Sequence, residues 1–308
     1  MPPINLAIVG VGKIARDQHL PSIKGNPDFK LIAAASRNGT VDGIANFTTM
    51  KSMFEAMPEI DAVSLCMPPQ FRYEAAYEAI SAGKHVFLEK PPGATLSEVA
   101  SLEQLAIENS VSLFASWHSR YAAAVEAAKS FLASATLQNA HIVWKEDVRH
   151  WHPNQDWIWQ AGGLGVFDPG INALSILTHI MPTPVFIKSA TLEFPENRQA
   201  PIAADLKMTS ASGIPVHAEF DWRQTGKQTW DITVATTDGQ MVLVDGGSKL
   251  TIDGKSVEVP EQSEYAALYH RFANLINERR SDVDIAPLRH VADAFMLGEH
   301  IFVEAFND

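Results

Sequence analysis

The sequence predicts an α/β fold in two parts. The first is an N-terminal unit built on a parallel sheet, and the second is a C-terminal α+β unit with a large, mostly antiparallel open sheet. Short β-rich runs recur at Ile4–Val9, 30–35, 62–67, His85–Leu88 and Leu113–Ala115. Between them lie stretches with apolar residues three or four apart, clearest at 73–82 and 96–109, and strands alternating with helices read as a parallel sheet. From about residue 121 the rhythm changes to closely spaced strand-like runs broken by Gly turns, which favours antiparallel pairing. A chain of 308 residues accommodates two domains, placed here at 1–121 and 122–308.

Each element has a local reason. Ile4–Val9 is apolar and runs into the turn Gly10-Val11-Gly12. The helical stretch after it contains Pro21, which lacks a donor and restricts the residue before it, so this helix is expected to break near Leu20. The run 62–67 ends in Pro68-Pro69, and His85–Leu88 leads into Glu89-Lys90-Pro91-Pro92-Gly93, where prolines fix the exit of the chain. Ser97 and Glu98 suit a helix start, and Asn109-Ser110 a helix end. In the second part a helix over 121–133 precedes strands at 140–148, 185–194, Ala203–Ser210, 216–222, Thr229–Thr236, 241–244 and 256–259. Asp238-Gly239, Asp245-Gly246-Gly247 and Asp253-Gly254 supply turns. Helices over 264–280 and 287–306 close the chain, the last placed to return to the first domain.

Composition excludes several function classes. A formal net charge of −12 is the wrong sign for a surface that binds phosphate backbones or anionic lipid. With one cysteine, Cys66, no internal disulfide forms, and neither a Cys/His cluster nor an HExxH motif offers a metal site. No apolar run approaches the ~20 residues that span a bilayer, and the N-terminus lacks a basic segment followed by an apolar one. A soluble, cytoplasmic protein is expected.

Two segments carry chemistry. Gly10-x-Gly12-x-x-Ala15 follows a strand and opens a helix, so its backbone can approach a pyrophosphate, and Lys13 and Ile14 belong to the same turn. Read alone it is also an ordinary tight turn. After the second strand an NAD enzyme places an acidic residue against the ribose hydroxyls, whereas this chain has Ser36-Arg37-Asn38. Arg37 can pair with a 2′-phosphate and Ser36 can donate to it, so NADP is the preferred cofactor, with NAD the alternative. Cys66, Pro68 and Pro69 are placed to line the cofactor, with Cys66 a small hydrophobe rather than a nucleophile. Glu89 and Lys90 sit at a strand end, where loops carry sites; the bland reading of Lys90 is a surface charge. Together these point to a pyridine-nucleotide oxidoreductase.

The second segment is the run from Trp159 to Asn172, dense in glycine and then helical. Asp168 and Asn172 are four apart and share a helix face that could meet a polyol; the alternative makes Asp168 a helix N-cap. His118, Arg120, Trp151, His152 and, more remotely, Trp230 offer indole faces for a sugar ring and polar groups for its hydroxyls, against a bland reading as core packing.

The Gly-x-Gly-x-x-Ala turn, Glu89-Lys90-Pro91 and the Gly-Gly…Asp-x-Gly segment, in this order and spacing, resemble the glucose–fructose oxidoreductase / inositol dehydrogenase family across essentially the whole chain. His19-Leu20-Pro21, Trp117-His118-Ser119-Arg120, Trp144-Lys145-Glu146-Asp147 and 163–172 resemble its aldose branch. The resemblance implies a Rossmann NAD(P)-binding domain, and oxidation of the anomeric C1 hydroxyl of an aldopyranose, L-arabinose or D-galactose, to the aldonolactone. Many members carry histidine four residues after the aspartate, where this chain has Asn172, which cannot act as a base. Proton acceptance is therefore assigned to Lys90 or Asp168, with Asn172 orienting the sugar. A homo-oligomer is expected through the second sheet, on the view that it exposes a broad apolar face. Two rivals remain, a non-catalytic NAD(P)-binding sugar sensor on the same fold and an oxidoreductase of another polyol.

Overall fold

The computed structural model describes residues 2–307; Met1 and Asp308 lie outside the described residues. The chain divides into two units, one running to His118 and including Ser263–Ile285, the other comprising Ser119–Gln262 and the residues from Ala286 onward. Membership thus differs from a single cut at 121/122. The helix Glu264–Glu278 belongs to the first unit, while the final helix, Ala286–Leu297, belongs to the second. No helix of the described residues is long and apolar enough to cross a membrane.

The first unit holds β1 (Ile4–Val9), β2 (Phe29–Ala35), β3 (Ala45–Phe47), β4 (Ala62–Leu65), β5 (His85–Leu88) and β6 (Leu113–Ala115). They form one sheet in the order β3-β2-β1-β4-β5-β6, every neighbour parallel. This is the doubly wound order, whose strand sequence reverses between β1 and β4. β4 and β6 are buried at every position, as expected of strands covered on both faces. Ala7, Val63, Val86 and Leu88 share one core cluster, and Ile8, Val11, Ala15 and Ala34 another. The expected break near Leu20 does not occur, because Pro21 sits in a first turn, where its missing donor is tolerated. Residues Ala15–His19 form a wide π-type turn, with the Leu20 N–H reaching Ala15 O, and Leu20–Lys24 is α-helical with Pro21 in its first turn. The sequence reading omitted β3 and the helix Met50–Ala56, whose N-cap Thr49 accepts from the Ser52 N–H. Three residues at a sheet edge and a seven-residue helix are too short to show a period.

Glu264–Glu278 joins the first unit through an aromatic face. The Tyr269 ring stacks on Phe87 at 5.1 Å, and Phe272 lies parallel to Phe114 at 6.1 Å and to Phe29 at 5.9 Å. Burying each such ring contributes roughly 1.5–3 kcal/mol.

The second unit holds β7 (Leu137–Lys145), β8 (Val185–Pro195), β9 (Ala203–Ser210), β10 (Pro215–Asp221), β11 (Thr229–Thr236), β12 (Gly239–Val244), β13 (Lys249–Ile252), β14 (Lys255–Val257) and β15 (Gly298–Val303). Their order is β14-β13-β12-β11-β7-β10-β9-β8-β15, antiparallel except for β7 beside β10 and β8 beside β15. Alternation along β10 buries Val216, Ala218 and Phe220 and leaves His217, Glu219 and Asp221 half-exposed. The helix Phe167–Ile180 packs so closely on the sheet that a Cβ on Gly170 would stand 2.9 Å from the Phe220 ring.

Two expectations need correction here. The last helix does not run to 306. It ends at Leu297, and Gly298, where a Cβ would stand 2.5 Å from Ala294 O, leads into β15, whose Ile301, Phe302 and Val303 favour strand. The other face of the sheet is not broadly apolar. Lys145 pairs there with Glu219 at 2.8 Å, and Asp221 at the end of β10 pairs with Arg223 at 2.7 Å, while large exposed apolar groups lie on edge strand β15 as Ile301 and Phe302 and on its neighbour β8 as Phe186.

Candidate active site

In the first unit the ends of β1 and β4 meet at Gly10. Its φ is +88°, and a Cβ there would stand 3.0 Å from Met67 N, so glycine is required on two counts. A Cβ on Gly12 would meet nothing within 4 Å, which leaves the turn open to a ligand. An uncrowded backbone at the strand-order reversal fits a nucleotide pyrophosphate. Lys13 and Ile14 are exposed beside it, and Lys13 pairs with Asp17. Ser36 Oγ accepts from the Val11 N–H at 3.2 Å, which leaves the hydroxyl proton to donate. Arg37 is exposed and joins no ion pair among the described residues. Cys66 is half-buried against Ile8, Val11, Ala15 and Ala34, Pro68 is half-buried and Pro69 is buried.

Glu89 is buried, and its partners hold it ionised. Its Oε1 lies 2.8 Å from His19 Nε2 and accepts from the Tyr265 hydroxyl at 2.8 Å, and its Oε2 accepts from the Lys90 N–H at 3.0 Å. Burial would push this carboxyl up, but the hydrogen bond and charge of His19, the charge of His118 and the Tyr265 hydroxyl bring it to about 2. Burial likewise opposes charge on His19, yet Cys66, Tyr269 and Glu89 raise it well above the ordinary value. His19 Nδ1 is 2.7 Å from the Tyr269 hydroxyl, itself 2.9 Å from Ser64 Oγ, and burial pushes Tyr269 up to about 12. His118 Nδ1 lies 2.5 Å from Glu264 Oε2, and its ring stacks on Tyr265 at 5.7 Å. One helix, Glu264–Glu278, therefore braces both Glu89 and His118. Lys90 is half-buried at the end of this network and precedes a cis peptide to Pro91.

Sequence reading missed Arg72. Its buried guanidinium donates to the carbonyls of Glu89 at 2.7 Å, of Pro91 and of Met67, and so ties the turn carrying Lys90 to the turn carrying Pro68. A signal was present, since Arg72 shares the buried side of its helix with Ala76, Ala79 and Ile80, and a charge on an apolar face needs partners.

In the second unit Asp168 is 4% exposed and lies in the first turn of Phe167–Ile180. The N-cap is Val166, so Asp168 is not the cap. Its Oδ2 lies 3.5 Å from His152 Nε2, and half-buried Asn172 follows one turn on. The glycines ahead of it serve close packing. A Cβ on Gly163 would stand 2.1 Å from Trp157 O, and Gly165, at φ +55°, would bring one to 2.3 Å from Pro201 O. Trp151 lies against Trp230 at 5.3 Å, Trp230 stacks on Trp144 at 6.0 Å, and His152 packs on Trp222 at 5.3 Å. Glu146, buried and unassigned by sequence reading, fixes this wall by accepting from Trp230 Nε1 at 2.9 Å and Trp222 Nε1 at 3.2 Å. The structure therefore groups Trp151, His152, Asp168 and Trp230. Arg120 instead bonds to Ser175 O and Thr178 Oγ1, both at 2.9 Å, on the helix that carries Asp168. One group of metal-ligating side chains, His141, His217 and Glu219, occurs among the described residues, on β7 and β10.

Comparison with known proteins accords with this geometry. Residues 4–116 match GFO_IDH_MocA, an oxidoreductase family with an NAD-binding Rossmann fold. The chain is 47% identical to a galactose 1-dehydrogenase of Pseudomonas fluorescens, with 100% of both chains covered. It is similar to the crystal structure of a D-galactose-1-dehydrogenase from Rhizobium etli, at 73% identity and a TM-score of 0.97, over 100% of this chain and 99% of that one. A 3-ketoreductase from Actinomadura kijaniata, in complex with NADP, shares the fold at 17% identity and a TM-score of 0.84, over 98% of this chain and 99% of that one.

Proposed function

The chain belongs to the GFO_IDH_MocA family of NAD(P)-dependent oxidoreductases, and we propose that within it this protein oxidises C1 of D-galactose, and of L-arabinose, to the aldonolactone with NADP preferred over NAD. The observation that carries the reading is the buried Asp168 beside His152, in one unit with the indole wall of Trp151 and Trp230, together with 47% identity along the whole chain to a galactose 1-dehydrogenase. A buried carboxylate and flat apolar rings match the polar edge and apolar face of a pyranose.

A bound nicotinamide cofactor supplies the hydride acceptor. The residues must then manage the O1 proton, which leaves as C1 gains carbonyl character. Asn172 holds no basic atom and orients O1. Asp168 and Lys90 are the candidate acceptors, and Lys90 also stabilises negative charge on O1. Lys90→Ala and Asp168→Ala are each expected to lower kcat by roughly 10²–10⁴-fold with nucleotide binding retained. Near wild-type turnover in either variant removes that residue from the chemistry. L-arabinose and D-galactose differ chiefly by the exocyclic CH₂OH, which a pocket discriminates by only ~1–3 kcal/mol, so both are expected to be oxidised.

The test is reduction of NADP or NAD, followed at 340 nm, with L-arabinose, D-galactose, D-xylose, D-glucose and myo-inositol. Turnover of the first two, faster with NADP, is expected, and Arg37→Ala should narrow the cofactor ratio. Nucleotide binding without turnover of any sugar would favour a sensor. A homodimer through the β8–β15 end of the second sheet, where Phe186, Ile301 and Phe302 are exposed, is part of the same proposal, and light scattering at a monomer mass would remove it.

A further inference from the structure

Two histidines on the half-exposed face of the second sheet stand in register. β7 and β10 pair in parallel with His141 opposite His217, and the two imidazoles stack with centroids 5.1 Å apart and planes 4° from parallel. Glu219 follows two residues along β10 on the same face, and Asp205 enters from β9, where it is paired with Glu219. Both imidazoles turn Nε2 toward a carboxylate, His141 to Glu219 Oε1 at 2.8 Å and His217 to Asp205 Oδ2 at 2.6 Å. One ligand atom each from His141, His217 and Glu219 lies within 4.8 Å of the others.

We propose that His141, His217 and Glu219, with Asp205 as fourth ligand, form a binding site for a divalent transition-metal ion of the zinc class. Two imidazole nitrogens and carboxylate oxygens suit tetrahedral Zn²⁺ or Co²⁺, and do not suit Mg²⁺ or Ca²⁺, which take oxygen ligands. The strand pairing fixes all four backbones relative to one another, so binding needs only side-chain rotation at groups 33–45% exposed. The ion replaces the present histidine–carboxylate hydrogen bonds with metal–ligand bonds. Lys145 is the counterweight. Its Nζ neutralises Glu219 at 2.8 Å and competes with a cation for that carboxylate, which weakens the site. Sequence spacing gave no sign of the site because its ligands lie on three strands, with His141 and Glu219 78 positions apart.

The test is calorimetric titration of the whole purified protein with Zn²⁺, repeated with Mg²⁺, alongside the visible spectrum of the Co²⁺ form. One Zn²⁺ per chain, no response to Mg²⁺ and a tetrahedral Co²⁺ spectrum are expected. The double variant His141→Gln/His217→Gln should bind at least tenfold more weakly, and Lys145→Met more tightly than wild type. The gain in Lys145→Met is the decisive arm, since a folding defect does not strengthen binding. Absence of a Zn²⁺ response, or binding unchanged in the histidine double variant, overturns the site. Sugar oxidation is not the readout, so the result is independent of the proposed activity.

Discussion

At the scale of single residues, buried charge organises one segment in each unit. Arg72 serves three carbonyls at the ends of two strands, and Glu146 receives two indole N–H groups. Each is costly to remove because its partners stay buried. Arg72→Ala leaves several acceptors unpaired, at about 1–3 kcal/mol each. It is expected to lower the urea midpoint of unfolding, and Arg72→Lys should recover only part, since an ammonium lacks the planar fork that reaches all three. Full recovery by lysine would show that charge alone suffices. Such residues were only partly legible. Gly10, Lys90 and Asp168 announce themselves by motif, whereas Arg72 and Glu146 acquire their meaning from partners 5–19 and 76–84 positions away.

At the scale of elements, Glu264–Glu278 shows how a helix late in the chain completes an early sheet. It brings Tyr265 to Glu89, Tyr269 to His19, and Phe272 to Phe29, Phe87 and Phe114. Phe272→Ala removes a fully buried ring from this layer and is expected to cost about 3–5 kcal/mol, read from denaturant unfolding. A cost below about 1 kcal/mol would mean that the layer repacks. Periodicity located this helix to within two residues of its end, because amphipathic spacing over fifteen residues is a strong local signal. The same signal failed for Gly298–Val303. Its pairing with β8, over a hundred residues earlier, decides between helix and strand there, and no local pattern records it.

At the scale of the whole molecule, the buried pair His19–Glu89 ties the stability of the first unit to pH. Glu89 sits at about 2 against an ordinary 4.5, so its contribution is complete above pH 4.5 and is lost as the pH falls toward 2. His19 is raised, so its contribution is complete below its ordinary 6.5 and is lost as the pH rises through its folded value. Wild type should therefore exceed Glu89→Gln in urea midpoint most between those limits, with the difference shrinking in acid; a difference that does not vary with pH would refute the ionised pair. The sequence by itself determined the fold class, five of the six strands of the first sheet and the Gly10-Val11-Gly12 turn between strand and helix. These rest on local periodicity, on glycine at a positive φ and on short motifs, all of which are properties of neighbouring residues. Only the tertiary structure decided that Glu264–Glu278 belongs with the first unit, that Glu146 ties the tryptophan wall, and that His141 and His217 stand side by side. Each depends on pairing between distant segments, and that pairing is set by the burial and hydrogen bonding of the whole chain.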